Sequence, residues 1–353
     1  MATSSLKLTA AIFTAVLLTP HLAMASDSCQ FVRDAIDKLP ATGGVVRISA
    51  GTYNCEAPIV IEKNNVIVKG DGTGKTVFRL ADNVHAPLLV IGSSKTLLDN
   101  QGRYVTPFRV HNVAVEGISF DGNKSHHDPK KECGETICEA DASSIRNNAI
   151  SIRGASDIRL KNIEAHDSIS GGLVSEKYCD HLMIENFDSH HNYFDGLAGY
   201  QTEKSVYNNV NLHDNRAAGI SVDIRFNDNK FIGGSIENNS DIGIYARDAK
   251  NNLFDGLKIN NNKGYGALLG TPDGPAGRCA DSNTFHNVEI SHSGKKAVIA
   301  FDTCHGNTIT GASKLDSNHE GETQGDVAIA KTATVIKYIP ETSLTGKPDG
   351  IAH

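Results

Sequence analysis

Five polar side chains recur at one position of a repeat, and their types suit acid–base chemistry. They are spaced 23 or 24 residues apart: Arg153, Glu176, Tyr200, Asp223 and Arg247. Carboxyl groups and a phenol transfer protons, and an arginine binds a carboxylate through two parallel hydrogen bonds. We predict that Glu176, Tyr200 and Asp223 are catalytic and that Arg153 and Arg247 bind substrate.

The repeat itself is marked by a glycine that opens a short β-type run and by an asparagine four positions before it. The glycines are Gly172, Gly196, Gly219, Gly243 and Gly266, and the asparagines are Asn192, Asn215, Asn239 and Asn262. A fixed period of this length indicates a solenoid whose coils bury their cores by stacking. Because stacked strands lie about 4.8 Å apart, the five polar residues should form a row roughly 19 Å long.

Strand side chains alternate between two faces, so each position after the glycine has a predicted direction. Residues one and three positions after it are small or apolar, and we expect them to face the interior. Residues two and four positions after it should face outward, which places Tyr245 beside the polar row. Tyr178 and Arg225, six positions after their glycines, are further predicted substrate-binding residues.

A second row consists of histidines six positions before the glycines: His166, His190 and His213. We consider His191, His213 and Arg216 secondary site candidates. The reason for the two histidines is that an imidazole at the edge of the outward face can act as a base. A purely structural role in stacked turns is the alternative. We predict no metal site and no cofactor, and no pattern indicates calcium.

The first 25 residues resemble an export signal, with Lys7, an apolar segment and a small-residue cleavage site at residues 23–25. We therefore predict an exported protein, periplasmic or secreted. The seven cysteines all follow this segment, and an oxidising compartment permits disulfides. The predicted pairs are Cys29–Cys55, Cys133–Cys138 and Cys279–Cys304. Cys179 remains as a buried, unreactive thiol.

The mature chain is predicted to form one elongated domain over residues 26–315, followed by a C-terminal tail over 316–353. Apolar residues at helical spacing predict a helix over Gln30–Leu39 that caps the solenoid. The net charge of −7 disfavours nucleic acid. No later apolar run is long enough to span a membrane. We expect a monomer that binds a linear, anionic polysaccharide.

The predicted helix followed by residues 43–53 (GGVVRISAGTY) resembles the cap of pectate-lyase-like right-handed parallel β-helix proteins. The segment 213–220, with His213-Asp214-Asn215 before Gly219-Ile220, is similar to coils of mannuronan C5-epimerases and related polyuronate lyases. The resemblance implies an all-β, single-stranded right-handed parallel β-helix from about Gly43 to Leu315. The Asp-Pro-His motif typical of those epimerases is absent, because the corresponding strand reads GLVSE at 172–176.

Three functions are open at this point. The first is a lyase or C5-epimerase that removes the C5 proton of a uronate, with arginines neutralising the carboxylate and favouring the phenolate of Tyr200. The second is an inverting glycoside hydrolase, because Glu176 and Asp223 would lie two coils, about 9.6 Å, apart. The third is a non-catalytic, glycan-binding or adhesive solenoid.

Overall fold

The computed structural model describes residues 27–127, 145–271, 278–301 and 303–340. The predicted export signal, the predicted Cys133–Cys138 pair and residues 341–353 lie outside these ranges. Helix α1 (Gln30–Lys38) opens the fold, buries Val32 and Ile36, and packs on the first strands. The predicted N-terminal helix is therefore confirmed. No helix within the described residues is long and apolar enough to cross a membrane.

The rest of the described chain consists of short strands, turns and one 3-10 turn at Lys124–His126. The first strands are β1 (Gly44–Arg47), β2 (Gly51–Cys55), β3 (Ile59–Ile61), β4 (Val66–Lys69), β5 (Thr76–Leu80), β6 (Leu89–Gly92), β7 (Leu97–Leu98), β8 (Tyr104–Val105), β9 (Val110–Asp121), β10 (Ile150–Arg153) and β11 (Ala155–His166). The central strands are β12 (Leu173–Glu176), β13 (Cys179–Asp180), β14 (Met183–His190), β15 (Leu197–Tyr200), β16 (Thr202–Glu203), β17 (Val206–His213), β18 (Ile220–Asp223), β19 (Lys230–Glu237), β20 (Ile244–Ala246), β21 (Leu253–Asp255) and β22 (Lys258–Asn260). The last strands are β23 (Ala267–Leu269), β24 (Thr284–His286), β25 (Glu289–Ser291), β26 (Val298–Ala300), β27 (Asn307–Thr310), β28 (Lys314–Asp316), β29 (Thr323–Gln324), β30 (Val327–Ile329) and β31 (Thr334–Ile336).

These strands form two long parallel sheets and one small antiparallel hairpin, β7–β8. Within the described ranges, one long sheet has 19 strands, and the other, which we call the site sheet, has 10. The strands of the site sheet are β3, β6, β10, β12, β15, β18, β20, β23, β26 and β29. Because each strand pairs with its equivalent on the next coil, the fold is the predicted right-handed parallel β-helix.

The repeat glycines lie on neighbouring coils, as their spacing predicts. Leu197 pairs with Ile220, and the amide of Leu197 donates to the carbonyl of Gly219 at 2.9 Å. A side chain does not fit at these positions. A Cβ atom on Gly219 would lie 2.3 Å from Cγ2 of Ile236 and 3.0 Å from the carbonyl oxygen of Gly243. Close approach of consecutive coils thus explains the recurring glycine.

The repeat asparagines form a buried ladder of side-chain amides along the solenoid. Asn215 Oδ1 accepts from the backbone N–H of Asn192 at 3.1 Å, and Asn215 Nδ2 donates to Asn239 Oδ1 at 3.0 Å. The residue before each ladder asparagine turns the chain in the left-handed region, as Asp214 does with φ of +53°. This turn explains the recurring polar residue beside each ladder position, because Asn, Asp and His adopt that region more readily than most side chains.

A second buried ladder was not predicted. It connects equivalent asparagines at another corner of the coils: Asn229, Asn252, Asn283 and Asn307. The two ladders satisfy buried backbone groups that a turn between parallel strands would otherwise leave unpaired.

The interior between the sheets is filled by aliphatic side chains and by a stack of aromatic rings from successive coils. Tyr207 and Phe231 stack with centroids 4.4 Å apart, and the stack continues through Phe254 and Phe285 at 5.2 and 4.9 Å. The free thiol of Cys179 is buried in this interior. Burial raises the pKa of the Cys179 thiol to about 11, which fits the predicted unreactive role.

Two predicted disulfides are present near the ends of the described solenoid. Cys29 and Cys55 join helix α1 to β2 with Cα atoms 4.9 Å apart, and Cys279 and Cys304 join adjacent coils at 5.0 Å. Parallel stacking also continues past Leu315. Strands β30 and β31 pair with β27 and β28 and add a further coil up to Ile336.

Candidate active site

The outer face of the site sheet has a sheltered floor of small and apolar side chains. They stand two positions after the repeat glycine or its equivalent, and only 4–8% of each is exposed: Val174, Ala198, Ser221, Leu268 and Ile299. Their strand neighbours, such as Leu197 and Ile220, belong to the interior core. Outward side chains that are nearly buried are recessed below their larger neighbours. We call this recessed face the cleft, and such a floor suits ligand binding.

The predicted polar row lies along one side of this floor, in the expected order. Arg153 pairs in register with Glu176, and Tyr200 pairs with Asp223. Tyr200 and Arg247 each directly follow a residue that pairs in register with the preceding coil. The tertiary structure thus brings Glu176, Tyr200, Asp223 and Arg247 onto consecutive coils.

Arg153 is fully buried and all three of its guanidinium nitrogens have partners. Nε donates to Glu176 at 2.7 Å, Nη1 donates to the carbonyl of Ser93 at 3.0 Å, and Nη2 donates to Thr96 Oγ1 at 2.5 Å. These bonds attach the segment before the β7–β8 hairpin to the N-terminal end of the cleft. Arg153 therefore orients Glu176 and the hairpin.

Asp223 holds two cationic side chains at the other end of the row. Its carboxylate is 5% exposed and lies 3.2 Å from Nε of Arg247 and 3.9 Å from Nη1 of Arg278. The backbone N–H of Ile224 donates to its Oδ1 at 2.7 Å. Arg278, which sequence reasoning did not single out, follows the segment 272–277 and adds positive charge to this end.

Tyr200 is half-buried, and its surroundings disfavour the phenolate overall. Burial, followed by the nearby Asp195 carboxylate, raises the pKa of Tyr200 to about 12. Arg146 and Arg247 oppose this rise without reversing it. The arginines favour the phenolate, as expected, but desolvation of the charged form outweighs them. Near neutral pH, the phenol of Tyr200 is therefore protonated.

Asp195 is the functional candidate that sequence reasoning missed. It lies immediately before Gly196, and burial raises its pKa to about 6. Its Oδ1 accepts from the backbone N–H of Ala218 at 2.9 Å. A signal was available, because the position before the glycine is Gly171, Ala218 or Ile242 in neighbouring repeats. Asp195 is the carboxylate in that series, and it stands on the same coil as Tyr200.

The other predicted binding residues divide into two groups. Tyr245 lies on the outward face, and the guanidinium of Arg247 stands 4.6 Å from its ring centroid. Tyr178 and Arg225 lie in turns beyond their strands, with φ of +68° and +61°. Arg225 is exposed and its Nη2 contacts Glu203 at 3.3 Å. We therefore keep Tyr245 in the site and place Tyr178 and Arg225 at its margin.

The predicted histidine row forms a ladder of stacked rings at the corner before the site sheet. His190 lies between His166 and His213, with ring centroids 5.2 and 5.0 Å away. Hydrogen bonds that the His213 ring donates to Asp188 and then to Asp214 raise the pKa of His213 to about 9. The partners of this ladder are carboxylates outside the cleft, which favours the structural alternative for His213.

The remaining secondary candidates border the same corner. His191 is an exposed turn residue with φ of +56°, and His190 Nδ1 lies 2.8 Å from His191 Nδ1. The guanidinium of Arg216 stands 3.9 Å from the ring centroid of Tyr193. Neither residue is on the cleft floor.

One group beside the histidine ladder has ligand-type atoms close together. Atoms of Asp121, His166 and Asp167 lie within 4.8 Å of one another. However, His166 Nδ1 bonds to Asp167 at 2.9 Å, and Lys124 Nζ lies 3.6 Å from the same carboxylate. An ammonium group beside the carboxylate already neutralises it, so the geometry does not call for a cation.

Comparison with known proteins agrees with this architecture. Residues 180–329 match the family described as the right handed beta helix region. The A-modules of the Azotobacter vinelandii mannuronan C-5 epimerases AlgE4 and AlgE6 are similar in structure, with TM-scores of 0.58 and 0.55 and 15% sequence identity each. Both matches cover 90% of this chain, and they cover 95% and 97% of the two modules.

A second type of protein has a similar structure. ORF18 of Geobacillus virus E2 has a TM-score of 0.59 at 14% identity, over 86% of this chain and 55% of that one. No curated protein sequence is significantly similar to this chain. At these identities the likenesses show the fold, a right-handed parallel β-helix.

Proposed function

We propose that this protein modifies a uronate-containing polysaccharide by removing the proton at C5, as a lyase or a C5-epimerase. The observation that carries the proposal is the pair of groups on the coil of Ala198. Asp195 lies close enough to Tyr200 for its charge to raise the pKa of the phenol, and the surroundings of the two groups move their pKa values to about 6 and about 12. Environments that separate two pKa values in this way assign the base to Asp195 and the acid to Tyr200.

The arginines supply the charge that the reaction needs. The C5 proton is too weakly acidic until the adjacent carboxylate is neutralised, because removing it places a second negative charge on the sugar. Arg247 is oriented by Asp223 through Nε at 3.2 Å. Its terminal nitrogens then bind the uronate carboxylate, with Arg146 and Arg278 adding to the local positive charge. In this proposal Glu176, Asp223 and Arg153 orient the residues that contact substrate.

The sugar ring lies over Ala198, whose short side chain leaves room for it. The Asp195 carboxylate takes the C5 proton, and the electron pair moves toward the neutralised carboxylate. In an epimerase, Tyr200 returns a proton to the opposite side of C5 and recovers one from solvent. In a lyase, the bond between C4 and its oxygen breaks, a C4–C5 double bond forms, and Tyr200 protonates the departing oxygen.

The choice of polymer follows the similar structures. The two A-modules are named mannuronan C-5 epimerases, so polymannuronate is the first substrate to test, followed by polygalacturonate. The two disulfides and the predicted export signal support a site of action outside the cytoplasm.

The decisive experiment is proton exchange in deuterated water. Each polymer is incubated with the purified protein, and deuterium at C5 is measured by NMR together with ultraviolet absorbance and new reducing ends. Deuterium at an inverted C5 identifies an epimerase, and an unsaturated, absorbing product identifies a lyase. New reducing ends without either signal would replace the proposal with the hydrolase, and binding without any product would replace it with the non-catalytic solenoid.

On the confirmed substrate, Tyr200→Phe and Asp195→Asn should each lower turnover by about 100-fold or more, the usual scale for a general acid or base. Both substitutions keep the shape of the side chain and remove its proton chemistry. Asn209→Gly, on the exposed side of the long sheet, is the matched control and should keep wild-type turnover. Wild-type turnover in Tyr200→Phe would remove Tyr200 from the mechanism.

A further inference from the structure

The outer face of the site sheet continues past the reacting position, and beyond Arg247 this surface has no part in the chemistry above. We call it the tyrosine platform, formed by the half-buried rings of Tyr245 and Tyr265. Beneath it lies an outward apolar cluster, separate from the interior core: Ala218, Ile242, Leu268 and Ile299. Side chains that face solvent need not be apolar for the protein to fold. An apolar surface that adjoins the polar row therefore indicates a binding site.

Each platform tyrosine has a cation close to its ring. Arg247 lies 4.6 Å from the centroid of Tyr245, and Lys295 Nζ lies 4.8 Å from that of Tyr265. The other two such pairs in the described ranges, Tyr104–Lys177 and Tyr193–Arg216, also lie beside strands of the site sheet.

We propose that the tyrosine platform is a second sugar subsite, which binds a uronate unit of the same glycan several units away from the one that reacts. The inference rests on the proposed function in taking an anionic glycan as the ligand. An aromatic ring with an adjoining apolar bed accepts the C–H face of a sugar, and the neighbouring ammonium of Lys295 binds its carboxylate. Lys295 is exposed, so its ammonium can follow an entering carboxylate.

The distance between the two positions makes the proposal testable by ligand length. Tyr200 and Tyr265 belong to coils that are three steps apart, which is roughly 14 Å along the solenoid. A disaccharide over Ala198 is too short to reach Tyr265, whereas a hexasaccharide aligned with the axis covers both positions. The platform should therefore contribute to the binding of long ligands alone.

The experiment measures dissociation constants of mannuronate disaccharide and hexasaccharide by calorimetry, in an Asp195→Asn background in which turnover is slowed. Adding Tyr265→Ala should weaken hexasaccharide binding about 10-fold and leave disaccharide binding within about 2-fold. Tyr265→Phe should retain hexasaccharide binding, because it keeps the ring. Lys295→Ala should weaken hexasaccharide binding, and added salt should reduce the difference. Lys258→Ala, an exposed lysine on the long sheet, is the matched control.

The outcomes separate this inference from the proposed function. Equal hexasaccharide affinity with and without Tyr265→Ala and Lys295→Ala overturns the platform, and C5 exchange by the wild type would still support the chemistry. Failure of C5 exchange, together with binding that depends on Tyr265 and on ligand length, overturns the chemistry and supports the platform. If Tyr265→Ala does not fold, as judged by circular dichroism, the Lys295→Ala comparison decides.

Discussion

At the scale of single residues, shelter from water decides which groups can do chemistry. Asp195 and Tyr200 are ordinary side chains in the sequence, yet burial raises their pKa values to about 6 and about 12. Glu176 and Asp223, which look equally suited to catalysis by type and spacing, are each held by an arginine at 2.7 and 3.2 Å. A carboxylate held in an ion pair orients its partner, whereas a desolvated one without a close cation is available as a base.

We expect Asp195 to lower the stability of the folded protein when its carboxyl group is ionised. Its folded pKa of about 6 lies above the ordinary value of 3.8, so the folded state binds the proton more tightly than the unfolded state does. Stability is therefore lost as pH rises from about 4 to about 6 and stays lower above that range. Asp195→Asn should be more stable than the wild type by about 1–3 kcal/mol at pH 8, with little difference at pH 4. Urea unfolding at both pH values measures this, and an unchanged difference between them would contradict the assignment.

His213 should show a dependence on pH of the same direction, over a higher pH range. Its folded pKa of about 9 lies above the ordinary value of 6.5, because Asp188 and Asp214 favour the charged ring. Its contribution to stability is complete below pH 6.5 and is lost as pH rises through about 9. His213→Gln should therefore destabilise by about 1–2 kcal/mol at pH 6, after allowance for solvent screening, and by little at pH 10. Thermal unfolding from pH 6 to 10 tests this, with the exposed His111→Gln as the reference substitution.

At the scale of elements, the corners of the coils carry as much specificity as the strands. Parallel strands joined by tight turns leave backbone groups that side chains must satisfy, and the two asparagine ladders do so from inside the solenoid. The exposed series that includes Asn186 and Asn209 bonds along the surface at 2.8 and 2.9 Å. Burial makes the inner ladders costly to break and leaves the outer series replaceable.

Asn215→Ala should destabilise the fold by about 2–4 kcal/mol. Asn215 is fully buried, and its amide donates to the carbonyl of Ser189 and to Asn239 while Oδ1 accepts from Asn192. Truncation leaves these groups unpaired away from water. Asn209→Gly is the control, because glycine keeps the left-handed turn of +53° at the surface, and it should cost less than about 1 kcal/mol. Chemical denaturation compares the two, and equal losses would contradict the role of burial.

At the scale of the whole molecule, the solenoid is covalently tied at its first coil and again among its late coils. Helix α1 and the Cys29–Cys55 bond tie down the first coil, and the Cys279–Cys304 bond joins two late coils. Each coil of a solenoid contacts only its neighbours, so a covalent link near an end opposes unravelling from that end. Both cysteines of the second bond belong to the interior core, together with Leu269 and Ile309.

Removal of the second disulfide should lower stability by about 2–4 kcal/mol, because the bond closes a segment with a sequence separation of 25 residues. The double variant Cys279→Ala/Cys304→Ala tests this by urea unfolding. Limited proteolysis should then cut first in the late coils. Cys179→Ala removes a buried, unpaired thiol and serves as the control, with an expected loss of about 1 kcal/mol. Equal stability of the double variant and the wild type would show that stacking alone holds these coils.

The sequence by itself determined the period, the class of fold, the capping helix, the order of the polar row and two disulfides. These features could be predicted because they repeat along the chain or depend on residues that are near one another in sequence. A glycine and an asparagine recur at fixed spacing, and strand alternation then assigns each neighbour to a face. The second ladder escaped this reasoning because the spacing from Asn252 to Asn283 is 31 residues, where an inserted segment interrupts the period.

Only the tertiary structure decided the chemical state of the site. Arg153 is occupied by Ser93 and Thr96, which lie 60 and 57 residues away in sequence, and no periodicity indicates such partners. Asp195 was not recognised because its raised pKa comes from burial within the folded coils. Desolvation and charge act through space, so an aspartate has a raised pKa in one coil and is held in an ion pair in the next.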